Sequence, residues 1–184
     1  YKVPVICQKP MAASYESARR MVEACKEAGI PFFVHENYRW QAPVRAAKQM
    51  VDAGRIGRIF RGRFQFVHEL PEFAWQNQPL LKQLERLVIA DQGSHQLDLA
   101  RFFMGEAKSI YCQHLAVRRD IAGEDVASIT LQMQDAICNV ELTFVSKTEG
   151  KHFPETTFFL EGTKGTLELR PDFWIHLTTT EGTL

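Results

Sequence analysis

The chain has 184 residues, 45% of them hydrophobic, which is enough to bury the core of one domain or slightly more. Lys plus Arg and Asp plus Glu are balanced at 22 each with no basic run, which argues against nucleic acid and an anionic membrane surface as partners. Cys7, Cys25, Cys112 and Cys138 are widely spaced and form no C-x-x-C; this speaks against a zinc site or a disulfide framework and points to a reducing cytoplasm. No apolar run approaches the roughly 18 residues of a membrane-spanning helix.

Tyr1 to Cys7 reads as a buried strand with no polar lead-in, as though the chain begins inside a fold. Residues 14 to 28 then carry an amphipathic helix, with Ser14 as N-cap, Glu16 in the first turn, and Ala18, Met21, Val22 and Cys25 at helical spacing. Gly29 caps its end, Pro31 prevents continuation, and 31 to 35 reads as a second short buried strand. Strand, helix and strand in 35 residues make a βαβ unit, whose ligands sit beyond the carboxyl ends of the strands. Lys9 and the run His35 to Trp40 occupy two such ends.

A second helix is predicted from Pro43 to Ala53, closed by Gly54. From Arg58 to Val67 the period becomes two: Phe60, Phe64 and Phe66 alternate with Arg61, Arg63 and Gln65, as in a strand covered on one face. Residues 69 to 88 read as irregular, and an apolar helix follows from Ile89 to Met104, stopped by Gly105. Strands are predicted at 107–118, 125–134, 137–146, 155–161, 165–170 and 173–179. The fold class is α/β (α+β), an open and largely antiparallel sheet with helices on one face. The other face is expected to carry apolar residues, Ile129, Leu131 and Met133 or their neighbours, and to join copies of the chain in a homo-oligomer.

The sharpest cluster is Asp91-Gln-Gly-Ser-His95-Gln-Leu-Asp98, with acid, imidazole and acid at offsets that share a helix face. A carboxylate beside an imidazole fixes its tautomer and stabilises its cation, so His95 can serve as a general base. The same spacing also suits a helix cap with a satisfied polar contact, or a metal site of two carboxylates and one imidazole. Lys9-Pro10 sets an ammonium at a strand's carboxyl end, where it can polarise a hydroxyl or simply be solvated. The run His35-Glu-Asn-Tyr-Arg-Trp40 can hydrogen-bond to and stack on a polyhydroxylated ligand, or form an ion-paired domain junction. Trp75 and Asn77 either line that cleft or pack beneath a loop. His68, His114, His152 and His176 stand singly and receive no role. No G-x-G-x-x-G and no G-x-x-x-x-G-K-[ST] occurs, so these residues do not cradle a pyrophosphate in the usual way.

In order, Gln8-Lys9-Pro10, Asn37-Tyr38-Arg39-Trp40, Gly54-Arg-Ile-Gly57, Asp91-Gln-Gly-Ser-His95-Gln-Leu-Asp98 and Glu161-Gly-Thr-Lys-Gly165 resemble the motifs of the Gfo/Idh/MocA oxidoreductases over nearly the whole chain. The resemblance implies a Rossmann domain binding NAD or NADP, of which residues 1–35 are the last part, followed by a substrate and oligomerisation domain at 36–184. It assigns Lys9, Asp91 and His95 to catalysis and the Gln8-Lys9-Pro10 motif to the cofactor, while Asn37, Tyr38, Arg39, Trp40 and Trp75 are the substrate contacts expected from their own polar and aromatic chemistry. Gln8 stands where the family usually has Glu, and Glu85-Arg86-Leu87 where many members have glycines. The expected activity is hydride transfer between a nicotinamide and a secondary alcohol of a sugar, inositol or related polyol, and the 184 residues alone are expected to be inactive. Two rival expectations are a non-catalytic binding or scaffold protein of the same fold, and a metal-dependent sugar isomerase or hydrolase using Asp91, His95 and Asp98.

Overall fold

The computed structural model describes residues 2–148 and 155–183. The chain divides into two compact units, residues 1–37 and 38–184. In the first, β1 (Val5–Gln8) and β2 (Phe32–His35) pair in parallel across the crossover helix α1 (Tyr15–Glu27). Ser14 caps α1 by accepting the Ser17 N–H at 3.2 Å. Gly29, at φ +66°, closes it in a Schellman turn, with Ile30 N donating to Cys25 O and Gly29 N to Lys26 O. Both strands were expected to be buried, but Ile6 and its register partner Phe33 are exposed, because α1 is the one element of the unit that packs on this pair.

The second unit is built on an eight-stranded sheet in the order β10-β9-β8-β7-β3-β6-β5-β4. Its strands are β3 (Ile59–Val67), β4 (Ser109–Leu115), β5 (Val126–Gln132), β6 (Ile137–Thr143), β7 (Thr157–Gly162), β8 (Gly165–Leu169), β9 (Ile175–Thr179) and β10 (Gly182–Thr183). All neighbours pair antiparallel except β3 and β6, which are parallel at the centre. Helix α2 (Ala42–Asp52) lies on β8, and α4 (Ser94–Met104) on β3 and β6. Gly54, at φ +71°, closes α2 as Gly29 closes α1, with Arg55 N on Met50 O.

Register decides which face is covered. One row runs Cys112, Ile129, Val140, Phe64, Phe158, Leu169, Ile175 across seven strands, and the next runs Ile110, Leu131, Cys138, Gly62, Leu160, Leu167, Leu177. From β5 to β9 these rows pack into the core with the helices, whereas Cys112 and Ile110 on the edge strand β4 stay exposed. A Cβ at Gly62 would overlap the Met104 sulfur, so glycine there lets α4 settle on the sheet. The intervening rows are largely polar: Tyr111, Thr130, Asn139, Arg63, Phe159, Glu168 and His176 share the open face, which the ion pair Arg61–Glu161 also occupies. Ile129, Leu131 and Met133, expected on that open side, are therefore buried against the helices instead. Alternation identifies two faces but not which one the helices cover.

Two further expectations change. Phe60, expected on the covered face with Phe64 and Phe66, is exposed because the β3–β7 register shifts between Ile59 and Arg61. Residues 69–88, expected to be irregular, contain α3 (Glu72–Asn77) and a 3₁₀ turn over Pro79–Gln83. Ala74, Trp75 and Leu81 drive this local structure by burying themselves in the core. His152 lies outside the described residues.

Candidate functional site

The helix expected at 89–104 begins as a single π turn, Ile89–Gly93, before continuing as α4. Its first backbone N–H groups are taken up by one buried acid: Val88 N donates to the Glu124 carbonyl at 3.1 Å and Ile89 N to the Glu124 carboxylate at 2.9 Å. The Ser94 hydroxyl donates to Asp91 O at 3.0 Å across the wide turn. Gly93 faces β6, where a Cβ would come within 3.1 Å of Leu142 Cδ1, so the turn lies directly on the sheet. Wide turns of this kind shift the side chains that follow relative to a regular helix, and they recur at functional sites.

The π turn and α4 present Asp91, Gln92 and His95 to the short helical turn Tyr38–Trp40. The Tyr38 and His95 rings stack face to face, with centroids 3.8 Å apart and planes 5° from parallel. Both rings are nearly sealed, at 5% and 4% exposure. The Tyr38 hydroxyl donates to Gln92 Oε1 at 3.3 Å, and Gln92 Nε2 donates to Asp91 Oδ2 at 3.0 Å. Tyr38, Gln92, Asp91 and His95 thus form one constellation. Gln92 was legible only as a member of the quoted motif, and Glu124 carried no sequence signal, because nothing local marks an acid that caps a helix 35 residues away.

Asp98 is directed elsewhere. Arg39 grips it through two guanidinium nitrogens, Nε on Oδ2 at 2.7 Å and Nη2 on Oδ1, while the guanidinium lies 5.0 Å from the Phe102 ring centroid. The pair braces the Tyr38–Trp40 turn onto α4 one helical turn beyond His95. Trp40 is 64% exposed, with the Arg45 guanidinium 5.5 Å from its ring. Trp75 is buried: its indole N–H donates to Leu70 O at 3.1 Å, and Arg118 and Lys82 lie over the ring at 4.9 and 5.8 Å. Both cations also bind Asp120, and the hydrogen bond from Arg118, then that from Lys82, holds this carboxyl far below the usual range. Asn77 is exposed at the end of α3.

In the first unit, Gln8 ends β1 and turns its side-chain oxygen onto the Lys9 N–H at 3.0 Å. Lys9 is half-buried, Pro10 follows it through a cis peptide bond, and Asn37 is exposed. These groups, an amide, an ammonium and a rigid ring at a strand's carboxyl end, can contact the edge of a nucleotide cofactor, although the chain has no glycine-rich turn to seat its phosphates. Among the described residues no three His, Cys, Asp or Glu side chains converge as a metal centre, and no helix is long and apolar enough to cross a membrane.

A family model described as the GFO/IDH/MocA C-terminal domain matches residues 44–168. A D-apiose dehydrogenase of Rhizobium rhizogenes is 40% identical over 183 residues, which are 99% of this chain and 52% of that protein. The crystal structure of an oxidoreductase from Agrobacterium radiobacter in complex with NAD+, L-tartaric acid and magnesium superposes with a TM-score of 0.94 at 40% identity, covering 100% of this chain and 53% of the other. The WlbA dehydrogenase from Bordetella pertussis, solved with NADH and UDP-GlcNAcA, is 26% identical at a TM-score of 0.77, over 90% of this chain and 50% of that one. The chain therefore spans about half the length of the curated relatives it matches.

Proposed function

Because this chain belongs to the Gfo/Idh/MocA family, we propose that it forms the substrate-side half of an NAD(P)-dependent oxidoreductase acting on a secondary alcohol of a sugar, inositol or related polyol. The observation that carries the reading is His95 stacked on Tyr38, whose hydroxyl leads through Gln92 to Asp91, since an imidazole held in place within a constellation that includes a carboxylate can take a hydroxyl proton. His95 is the base. Asp91, steadied by Gln92, favours the imidazolium that forms, and Lys9 donates to the alcohol oxygen as negative charge develops there. Gln8, Lys9 and Pro10 contact the cofactor, and the β1–α1–β2 unit is the end of its Rossmann domain. A bound nicotinamide supplies the hydride-accepting carbon.

Asn37, Arg39 and Trp40 are the contacts proposed for a polyhydroxylated substrate, whereas the rings of Tyr38 and Trp75 are buried and are not proposed to touch it. D-apiose dehydrogenase as a relative supports a sugar-type substrate. The open sheet face is proposed to join copies of the chain. The test is steady-state kinetics of the full-length protein on a panel of sugars and polyols with NAD+ and NADP+, followed through the reduced nicotinamide. His95→Ala is expected to lower kcat about 100-fold or more, and Lys9→Ala to lower it as well. Wild-type turnover by both variants overturns the assignment.

A further inference from the structure

Tyr38 belongs to a run of polar and aromatic residues suited to binding a ligand, yet its ring is 5% exposed and covers an imidazole rather than open space. We propose that Tyr38 is a positioning residue for the reaction, holding the His95 ring by face-to-face stacking and tying it, through Gln92, to Asp91. This inference rests on the reading of His95 as the base.

Three features support it. The stack is nearly parallel, at 5° and 3.8 Å, so the phenol covers one face of the imidazole. A stacked partner restricts rotation about the last side-chain bond, which in a bare imidazole is broad and soft. The Tyr38 hydroxyl meets Gln92 Oε1, and the Gln92 amide then donates to Asp91, so one side chain sets the ring and reaches the carboxylate of the same constellation. Finally, the next residue, Arg39, clamps Asp98 one turn along α4, which fixes the backbone from which Tyr38 projects. Two consecutive residues thus brace two successive turns of the helix bearing His95.

The electrostatics point the same way. An aromatic face is the negative pole of the ring quadrupole, so a phenol lying flat on an imidazole favours that imidazole once it carries a proton. His95 acquires that proton during alcohol oxidation, as the hydroxyl O–H bond breaks and an N–H bond forms. The stack therefore stabilises the proton-bearing ring after transfer and limits misorientation before it. The hydroxyl contact to Gln92, at 3.3 Å, is long for a hydrogen bond between side chains, so the ring contributes more than the hydroxyl.

The test separates ring, hydroxyl and base. In the 184-residue chain with labelled histidine, the ring current of Tyr38 is expected to move the His95 carbon-bound protons upfield, and Tyr38→Phe is expected to keep that shift while Tyr38→Leu loses it. In the full-length protein, Tyr38→Leu is expected to lower kcat about tenfold with KM within about twofold, whereas Tyr38→Phe stays within about threefold of wild type. Should Tyr38→Leu not fold, Tyr38→Met fills similar volume without an aromatic face and answers the same question. Unshifted His95 protons in the wild type, full turnover by the leucine or methionine variant, or a phenylalanine variant as slow as leucine would each overturn the positioning role. A His95→Ala variant with wild-type turnover overturns instead the assignment of the base.

Discussion

The ion pair between Arg39 and Asp98 is open to a direct energetic test, because the spacing of Asp98 also suits an orienting acid for His95 while the structure commits it to Arg39. The pair is bidentate, and its side chains are 29% and 18% exposed. Two unit charges 4 Å apart attract by about 4 kcal/mol at an effective dielectric constant of about 20. Partial desolvation and screening by the water that still reaches both groups reduce this, so the coupling should be about 1–2 kcal/mol, between the values typical of exposed and buried pairs. Arg39→Ala also loses the guanidinium contact with Phe102, about 0.5–1 kcal/mol, and should destabilise more than Asp98→Ala. Urea denaturation of both single variants and the double variant, followed by far-ultraviolet circular dichroism, completes the cycle. The double variant should be less destabilised than the sum of the singles by that coupling. Additivity within about 0.3 kcal/mol would refute the brace.

Three other outcomes are expected. Gly162→Ala should cost about 3 kcal/mol, since its methyl would overlap Ile56 O, come within 2.8 Å of the Ile56 carbonyl carbon and displace the Lys164 N–H from Ile56 O; a loss below about 1 kcal/mol in the same urea assay contradicts the close packing of 54–57 on 161–165. Burial pushes the Cys138 thiol up to about 12 from 9.0, so the folded state holds its proton more tightly than the unfolded state does. Its contribution to stability is fully present below about pH 9 and is lost as the pH climbs towards 12. Iodoacetamide at mildly alkaline pH should therefore label Cys138 only on unfolding, and Cys138→Ala should flatten the alkaline loss of stability; ready labelling of the native chain would contradict this. Association through the open sheet face should be weakened by a charge at exposed Ile137, and a wild-type chain that is monomeric by light scattering at micromolar concentration argues against that interface.

Much of this protein's architecture follows from local pattern. Ser14, Gly29 and Gly54 act through the few residues beside them, so the bounds of α1 and α2 are legible without any tertiary contact. Strand alternation has the same local origin, and it locates most of the sheet's strands to within a few residues. The order of short motifs identifies the family, and two of them record a backbone need, at Gly57 and Gly162 where 54–57 meets 161–165. Pattern is silent wherever the answer depends on a partner distant in sequence. A period of two defines two faces, but only the helices packed on β3, β6 and β8 decide that Ile129, Leu131 and Met133 face inward. Asp91, His95 and Asp98 look alike as a helical row, yet the π turn, the Tyr38 ring and the Arg39 guanidinium give them different partners. Trp75 in a polar stretch resembles a ligand contact until its indole N–H is seen to find Leu70 O inside the core. Helix caps and turns are satisfied within a few bonds of chain, whereas a stacked ring, a charge pair and a covered face exist only once segments dozens of residues apart have been brought together.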